Sequence, residues 1–292
     1  IIDIPAEERK ALTAAISLFE SKEPLKKIAR GHLIDAYNRY GMVLYKDSSY
    51  IDAEKYYQKA AESYKEAVKS GQIKPEAKYG LIFSNLGDLA YNISGDYDIA
   101  LDYFIEAENN KYSTPNLKYK KGFLYYNKKD YRDALDEFTD SADGYSSNRT
   151  LLYATANTLF NRNDFYLAEG YYTHLLDMLE KEYSSINYLL IDTVPEHKTL
   201  VENLIKVKNN LGTTKYRLYQ RNRNSEKNSE AMVLLTDSIE LYDKLSRDPN
   251  SLEAPETVNL SYLNSKSVFY PVDDYQLQIY QDIPKDLDKS GL

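Results

Sequence analysis

Apolar and polar positions along residues 34 to 245 follow a helical spacing that recurs in copies. Upstream, PAEERKALTAAISLFESKE places Leu12, Ala15, Ile16 and Phe19 on one side of a helix, which predicts an N-terminal amphipathic cap. The stretches GMVLYKDSSYIDAEKYYQKA from Gly41 and GFLYYNKKDYRDALDEFTDS from Gly122 then share a pattern. Each has glycine first, an aromatic nine residues on (Tyr50, Tyr131), alanine at twelve (Ala53, Ala134) and an aromatic at sixteen (Tyr57, Phe138). A third copy begins at Gly87 with one extra residue in its turn, giving Tyr97, Ala100, Phe104 and Ala107. In the fourth, Ala156 takes the glycine slot and Phe165, Ala168 and Tyr172 follow. Ala100, Ala134 and Ala168 lie 34 residues apart.

Small residues on the first helix (A) and alanine on the second (B) let two antiparallel helices approach closely, and the aromatics fill the space between successive pairs. Each pair leaves an apolar face that its neighbour must cover. The register of GDYDIALDYFIEA and KDYRDALDEFTDS resembles the turn and second helix of the tetratricopeptide repeat. That resemblance implies an all-α, right-handed α-superhelix (solenoid) of helix-turn-helix units with the A helices on its concave side. Departures are visible: the fourth position, usually tryptophan, holds Tyr37, Phe83, Lys118 and Leu152, and the terminal proline slot is not kept. A fifth, degenerate unit runs from Gly212 to Ala231 and Leu235, with about seven extra residues between its helices within QRNRNSEKNSE.

Irregular intervals set the expected boundaries. The 47 residues from Ala53 to Ala100 predict that AESYKEAVKSGQIK extends the first B helix, with Pro75 opening the next A helix. Thr114 before Pro115 reads as a cap and first-turn pair. Between Leu175 and Gly212 the spacing predicts a long B helix, a loop near Thr193 to Pro195 and a long fifth A helix. The expected organisation is a capping segment over 1–33, about five repeat units over 34–248, and a packing segment with a frayed end over 249–292. That last segment carries four of the nine prolines and many aromatics without a sustained period, unlike a solvated tail. It is expected to pack on the end of the superhelix or in its groove, where it would regulate access.

Composition narrows the chemistry. With no Cys among 292 residues there is no disulfide, thiolate zinc site or cysteine nucleophile. Eleven glycines are few for a fold built on phosphate loops and tight βα turns. No phosphate loop, GxSxG elbow or HExxH stands in the chain, and His32, His174 and His197 lie in separate elements. Acidic pairs such as Asp136 with Glu137 or Asp273 with Asp274 read as solvated faces, although a helical enzyme with a carboxylate site stays open as an alternative. No catalytic residue, metal or cofactor is therefore expected. The remaining oddity is 30 tyrosines beside no tryptophan.

The resemblance puts the second, fifth, sixth, ninth, twelfth and thirteenth positions of each A helix on the concave face. The twelfth are Tyr45, Tyr91, Tyr126, Phe160 and Tyr216; the thirteenth are Lys46, Asn92, Asn127, Asn161 and Arg217. Rings beside amides suit a peptide segment or helix of a partner protein, although an aromatic twelfth position also serves packing alone. The sixth position is mixed (Arg39, Asn85, Lys120, Ala154, Asn210), so no continuous asparagine ladder is expected, with Asn85 the one candidate taken from it. Asn38 and Met42 stand where carboxylate-clamp members of the family carry lysine and asparagine, which argues against a chaperone adaptor of that type. Residues 206–227, with Arg217, Arg221, Arg223 and Lys227 at their basic end, offer an alternative: a nucleic-acid or anionic-surface patch. A net charge of −8 opposes it.

Lysines outnumber arginines 27 to 10, and with the ending YQLQIYQDIPKDL the chain is similar to large repeat proteins of spirochaetes, among them components of the periplasmic flagellar collar. That likeness implies a bacterial scaffold of the flagellar motor in the periplasm; otherwise the expectation is cytoplasmic. The chain opens on Ile1, and IIDIPAEERK has no apolar signal core, as expected of a piece cut from a longer product.

Overall fold

The computed structural model describes residues 6–21, 28–145, 147–186, 194–246, 264–265, 278–284 and 287. Among them are eleven α-helices and no strand. Two compact units, residues 1–124 and 125–292, divide the chain inside its sixth helix, and each is described separately. The N-terminal unit holds α1 (Ala6–Glu20), α2 (Arg30–Lys46), α3 (Tyr50–Lys69), α4 (Ala77–Leu89), α5 (Tyr97–Asn109) and most of α6 (Pro115–Asn127). The C-terminal unit holds the end of α6, then α7 (Tyr131–Tyr145), α8 (Arg149–Asn161), α9 (Phe165–Tyr183), α10 (Pro195–Asn222) and α11 (Ser225–Ser246). Consecutive helices pack on one another: α1 on α2, α2 on α3, α3 on α4 and α4 on α5 in the first unit, and α7 through α11 in series in the second.

The buried face of α3 shows why these stretches form helices. Ala53, Tyr57, Ala60, Ala61, Tyr64 and Ala67 recur at helical spacing and all are buried, while the intervening Lys and Glu stay in water. Polar caps start the helices: Thr114 Oγ1 accepts from the Leu117 amide, Asp96 from Ile99 and Asn148 from Leu151. At each of the five A–B turns one residue takes a left-handed conformation, Ser48, Gly95, Lys129, Asn163 and Arg223. The extra residue of the Gly87 copy is absorbed as a π turn over Ala90–Ser94, where the Asp96 amide bonds to Ala90 O, and Gly95 then reverses the chain at φ 66°.

The close approach of the two helices of a pair requires the small first residue. A Cβ on Gly41 would lie 2.6 Å from the Tyr57 ring, and one on Gly87 would lie 2.5 Å from Phe104. At these two positions the glycine faces the ring at the midpoint of helix B, whereas a Cβ on Gly212 would meet Leu235 and the Ala231 carbonyl oxygen. Two boundaries differ from those expected. Pro75 stands before the N-cap Glu76 and outside α4. The polar run QRNRNSEKNSE forms no loop: α10 continues to Asn222, α11 begins at Ser225, and only Arg223 and Asn224 connect them. The inserted residues lengthen the two helices, because most of the run is compatible with helix and Arg223 supplies the left-handed cap. Pro195 is the first residue of α10, while Thr193 and most of 249–292 lie outside the described residues.

Candidate functional site

Side chains of α8 and α10 in the C-terminal unit converge on a short piece of the chain's own C-terminal segment. Asn210, fully buried on α10, accepts a hydrogen bond from the Tyr280 amide at 2.7 Å and donates to the Tyr280 carbonyl at 3.1 Å. Its carboxamide meets the donor and acceptor of one residue as a neighbouring strand would. Asn264 does the same two residues earlier, accepting from the Gln278 amide at 3.1 Å and donating to its carbonyl at 2.7 Å. The Tyr280 carbonyl also takes bonds from Tyr153 Oη at 2.9 Å and Asn157 Nδ2 at 3.0 Å, and the Gln281 carbonyl takes one from Tyr126 Oη at 2.9 Å.

The groups behind the contact are held by one another. Asn157 Oδ1 accepts from Tyr172 Oη and from Asn210 Nδ2, and Asn210 Nδ2 also reaches Tyr153 Oη. Asn264 Nδ2 also reaches Asn209 Oδ1 at 2.9 Å and Thr213 Oγ1 at 3.1 Å, its two hydrogens shared among three acceptors. Every member is buried and bonded, so the side chains hold one another in place around the segment. Burial raises the phenols of Tyr153 and Tyr172 well above their ordinary pKa, and it raises Tyr126 against the bond from Asn157. All three remain neutral donors at any physiological pH. Beneath them, Ile279 and Leu287 enter a core formed with Phe165, Tyr172, Leu175 and Val201.

In repeat register these residues fall at positions that the resemblance assigns to the concave face. Tyr153 and Asn209 are fifth, Asn210 sixth, Asn157 and Thr213 ninth, Tyr126 twelfth and Asn161 thirteenth. Of the residues singled out from the sequence, the structure therefore brings Tyr126 and Asn161 to the segment. Asn161 exchanges two bonds with the Gln281 side chain, at 2.9 and 3.0 Å. Missed were the fifth, sixth and ninth positions, where asparagines and a tyrosine on neighbouring A helices meet. A search for amides at any inner position, rather than for one repeated position, would have found them.

The twelfth-position rings follow one packing rule. Tyr45 meets Tyr50 edge-on at 5.3 Å, Tyr91 meets Tyr97 at 5.6 Å, Tyr126 meets Tyr131 at 5.7 Å and Phe160 meets Phe165 at 5.2 Å, each pairing with the aromatic that opens the next helix. Tyr216 pairs instead with Tyr219. Elsewhere in the N-terminal unit, Asn85 donates to Asn38 at 2.9 Å and Asn92 reaches Tyr45 Oη at 3.5 Å, while Lys46 is exposed. Asn127 in the C-terminal unit is likewise exposed.

Several lysines of the basic run are paired with carboxylates within the C-terminal unit. Lys208 pairs with Glu180 and Asp237, while Lys215 and Lys227 share Glu169 and Glu230. Arg221 lies over the Phe165 ring, Arg223 over Tyr219, and Arg217 is half-buried with a bond to Gln220. Burial disfavours the Glu169 charge, but the two lysines outweigh it and lower the carboxyl; Lys215 chiefly lowers Glu230. Both carboxyls thus add stability above the ordinary glutamate pKa of about 4.3 and lose it as pH falls through their lowered values. Glu169→Gln should cost on the order of 1 kcal/mol near neutrality. Urea unfolding at pH 7 and pH 3 checks this, and the gap between variant and natural chain should close at the lower pH.

Among the described residues no group of three or more His, Asp or Glu side chains is placed to hold a metal ion. No helix there is long and apolar enough to cross a membrane.

Helix pairs that close over a small residue and repeat along each unit define an α-solenoid of helix-turn-helix repeats. The family model described as tetratricopeptide repeat matches residues 33–72, so that stretch, α2 with α3, is a tetratricopeptide repeat. Its fold is similar to that of YrrB, described as a TPR protein with an unusual peptide-binding site. The two are 16% identical with a TM-score of 0.52, over 80% of this chain and 94% of that one. BtubC from P. vanneervenii is 12% identical over 86% of this chain and 97% of that one, with a TM-score of 0.44. NprR in complex with its cognate peptide NprX is 16% identical over 90% and 72%, with a TM-score of 0.41. No curated protein matches the chain.

Proposed function

We propose that this chain is a non-catalytic protein-interaction scaffold that holds an extended peptide segment by its main chain on the inner row of α8 and α10. The observation that carries the reading is the Asn210 carboxamide bonded to both main-chain groups of Tyr280. Main-chain bonding supplies affinity for an extended segment without demanding a particular side chain. Peptide binding by YrrB, as its description states, is in keeping with this use of the fold. No arrangement of a base, a nucleophile and an electrophile is needed for the work.

An array of extended peptides probed with the full chain tests the reading. Combining Tyr126→Phe with Asn161→Ala keeps the ring on Tyr131 and removes only hydrogen bonds, so the helices should stay folded. Measured in chains that both carry Ile279→Asp, so that residues 278–281 do not compete, binding to the array should fall about tenfold, the equivalent of about 1.4 kcal/mol. Unchanged binding by the folded variant would sink the proposal.

The finer reading, a brick of a bacterial assembly such as the flagellar collar in the periplasm, is supported by the lysine bias and the ending YQLQIYQDIPKDL. Fractionation of cells carrying the tagged full-length product tests it, and recovery in the cytoplasm alone would reject it.

A further inference from the structure

Most contacts to residues 278–281 are made to main-chain atoms and carry no sequence information, beyond excluding proline at 278 and 280 where an amide is bonded. Two side chains do carry it. Ile279 is buried in the apolar core of the C-terminal unit, 4% exposed. Two residues on, Gln281 pairs its carboxamide with that of Asn161 in both directions, and its Oε1, 2.8 Å from Tyr126 Oη, shares that hydroxyl's one hydrogen with the Gln281 carbonyl. An aspartate, glutamate or aliphatic residue there could not return both bonds. Meanwhile Gln278, Gln281 and Asp282 are exposed and Asn161 only half-buried, so this edge of the site is open to an incoming chain.

We infer that the site reads an extended segment of a partner protein with the pattern aliphatic–x–Gln, and that residues 278–281 are its built-in occupant, exchangeable for that segment. The inference rests on the peptide-holding reading above and adds to it the ligand's sequence and a competitor. The tethered segment is covalently part of the chain and competes at an effective concentration on the order of millimolar. A partner segment binds when its local concentration exceeds that value or when the built-in occupant is weakened. The site is thereby kept filled and dry between partners, and a peptide lacking either side chain is rejected by the loss of one apolar burial or one amide pair.

The test uses the full chain and a fluorescein-labelled peptide of residues 275–287, YQLQIYQDIPKDL, followed by anisotropy. A chain carrying Ile279→Asp releases its own segment and should bind the peptide at least tenfold more tightly than the natural chain does. On that released chain, a peptide carrying Gln281→Ala should bind about three- to tenfold more weakly, as the loss of one net hydrogen-bonded pair predicts. A peptide carrying Ile279→Asp should not bind. If the released chain keeps its helical content and ignores the peptide, exchange is overturned. Equal binding of the Gln281→Ala peptide overturns the sequence pattern while leaving the main-chain reading intact. Should Ile279→Asp reduce helical content, the milder chain variant Gln281→Ala takes its place, with about threefold tighter peptide binding expected and no gain overturning the proposal. Loss of array binding in the Tyr126→Phe, Asn161→Ala chain is scored separately, so failure of exchange and failure of peptide holding are distinguishable.

Discussion

Replacing Asn210 by alanine should lower the stability of the C-terminal unit by about 2–3 kcal/mol, since a buried polar group left without a partner costs about 1–3 kcal/mol and each lost hydrogen bond about 1 kcal/mol. The Tyr280 amide would lose its acceptor, while Asn157 Oδ1 would keep only the bond from Tyr172 and Tyr153 Oη only its bond to the Tyr280 carbonyl. Urea unfolding followed by circular dichroism measures the loss. Hydrogen exchange localises it, because the Tyr280 amide should lose its protection while amides of α2 to α5 keep theirs. Asn92→Ala is the control: its side chain is exposed and reaches Tyr45 at 3.5 Å, so it should change stability by less than about 0.5 kcal/mol. Equal effects of the two substitutions would mean that the inner row of α8 and α10 holds nothing.

Gly87→Ala should destabilise the N-terminal unit by about 1–3 kcal/mol, although alanine favours helix over glycine by about 1 kcal/mol. The new methyl would stand 2.5 Å from Phe104 Cε1, and the Phe104 ring is fully buried, so it has no free space to turn into. Shortening the ring opens that space. In a double-mutant cycle, Gly87→Ala with Phe104→Leu should cost less than the sum of the two single changes by about 1 kcal/mol or more. Thermal unfolding of the four chains provides the measurement, and strict additivity would show that the glycine does not face the ring. The same logic applies at Gly41, whose Cβ would meet the Tyr57 ring at 2.6 Å.

The repeat fold was legible because it is written in short-range terms. A glycine or alanine nine residues before an aromatic and sixteen before another marks two helices and the turn between them, and each mark is read within about twenty residues of chain. Tyrosine abundance was legible as packing and now has a further cause. Tyr37, Tyr64, Tyr153 and Tyr172 are buried rings whose hydroxyls bond to Glu20, Asn110, Asn210 and Asn157. Tryptophan carries only a donor, whereas a phenol can donate and accept at once. The connection between α10 and α11 was misread because polar composition is equally compatible with an exposed helix, and helix length is set by what the apolar faces on either side can reach.

Asn157, Asn210 and Asn264 were invisible as a site for a geometric reason. Each stands at a different repeat position or outside the repeats altogether, so no periodic count groups them, and what joins them is a strand of main chain that carries no side-chain signature. Local sequence thus settled the helices, the turns and the small-residue contacts, since those depend on neighbours a few residues away. The choice of which inner residues meet residues 278–281 depended on separations of 120 residues or more from Asn157 and Asn161, and of 70 from Asn210. Contacts at that distance exist only once helices have packed, because burial in the folded unit is what turns a soluble carboxamide into an obligatory hydrogen-bonding partner.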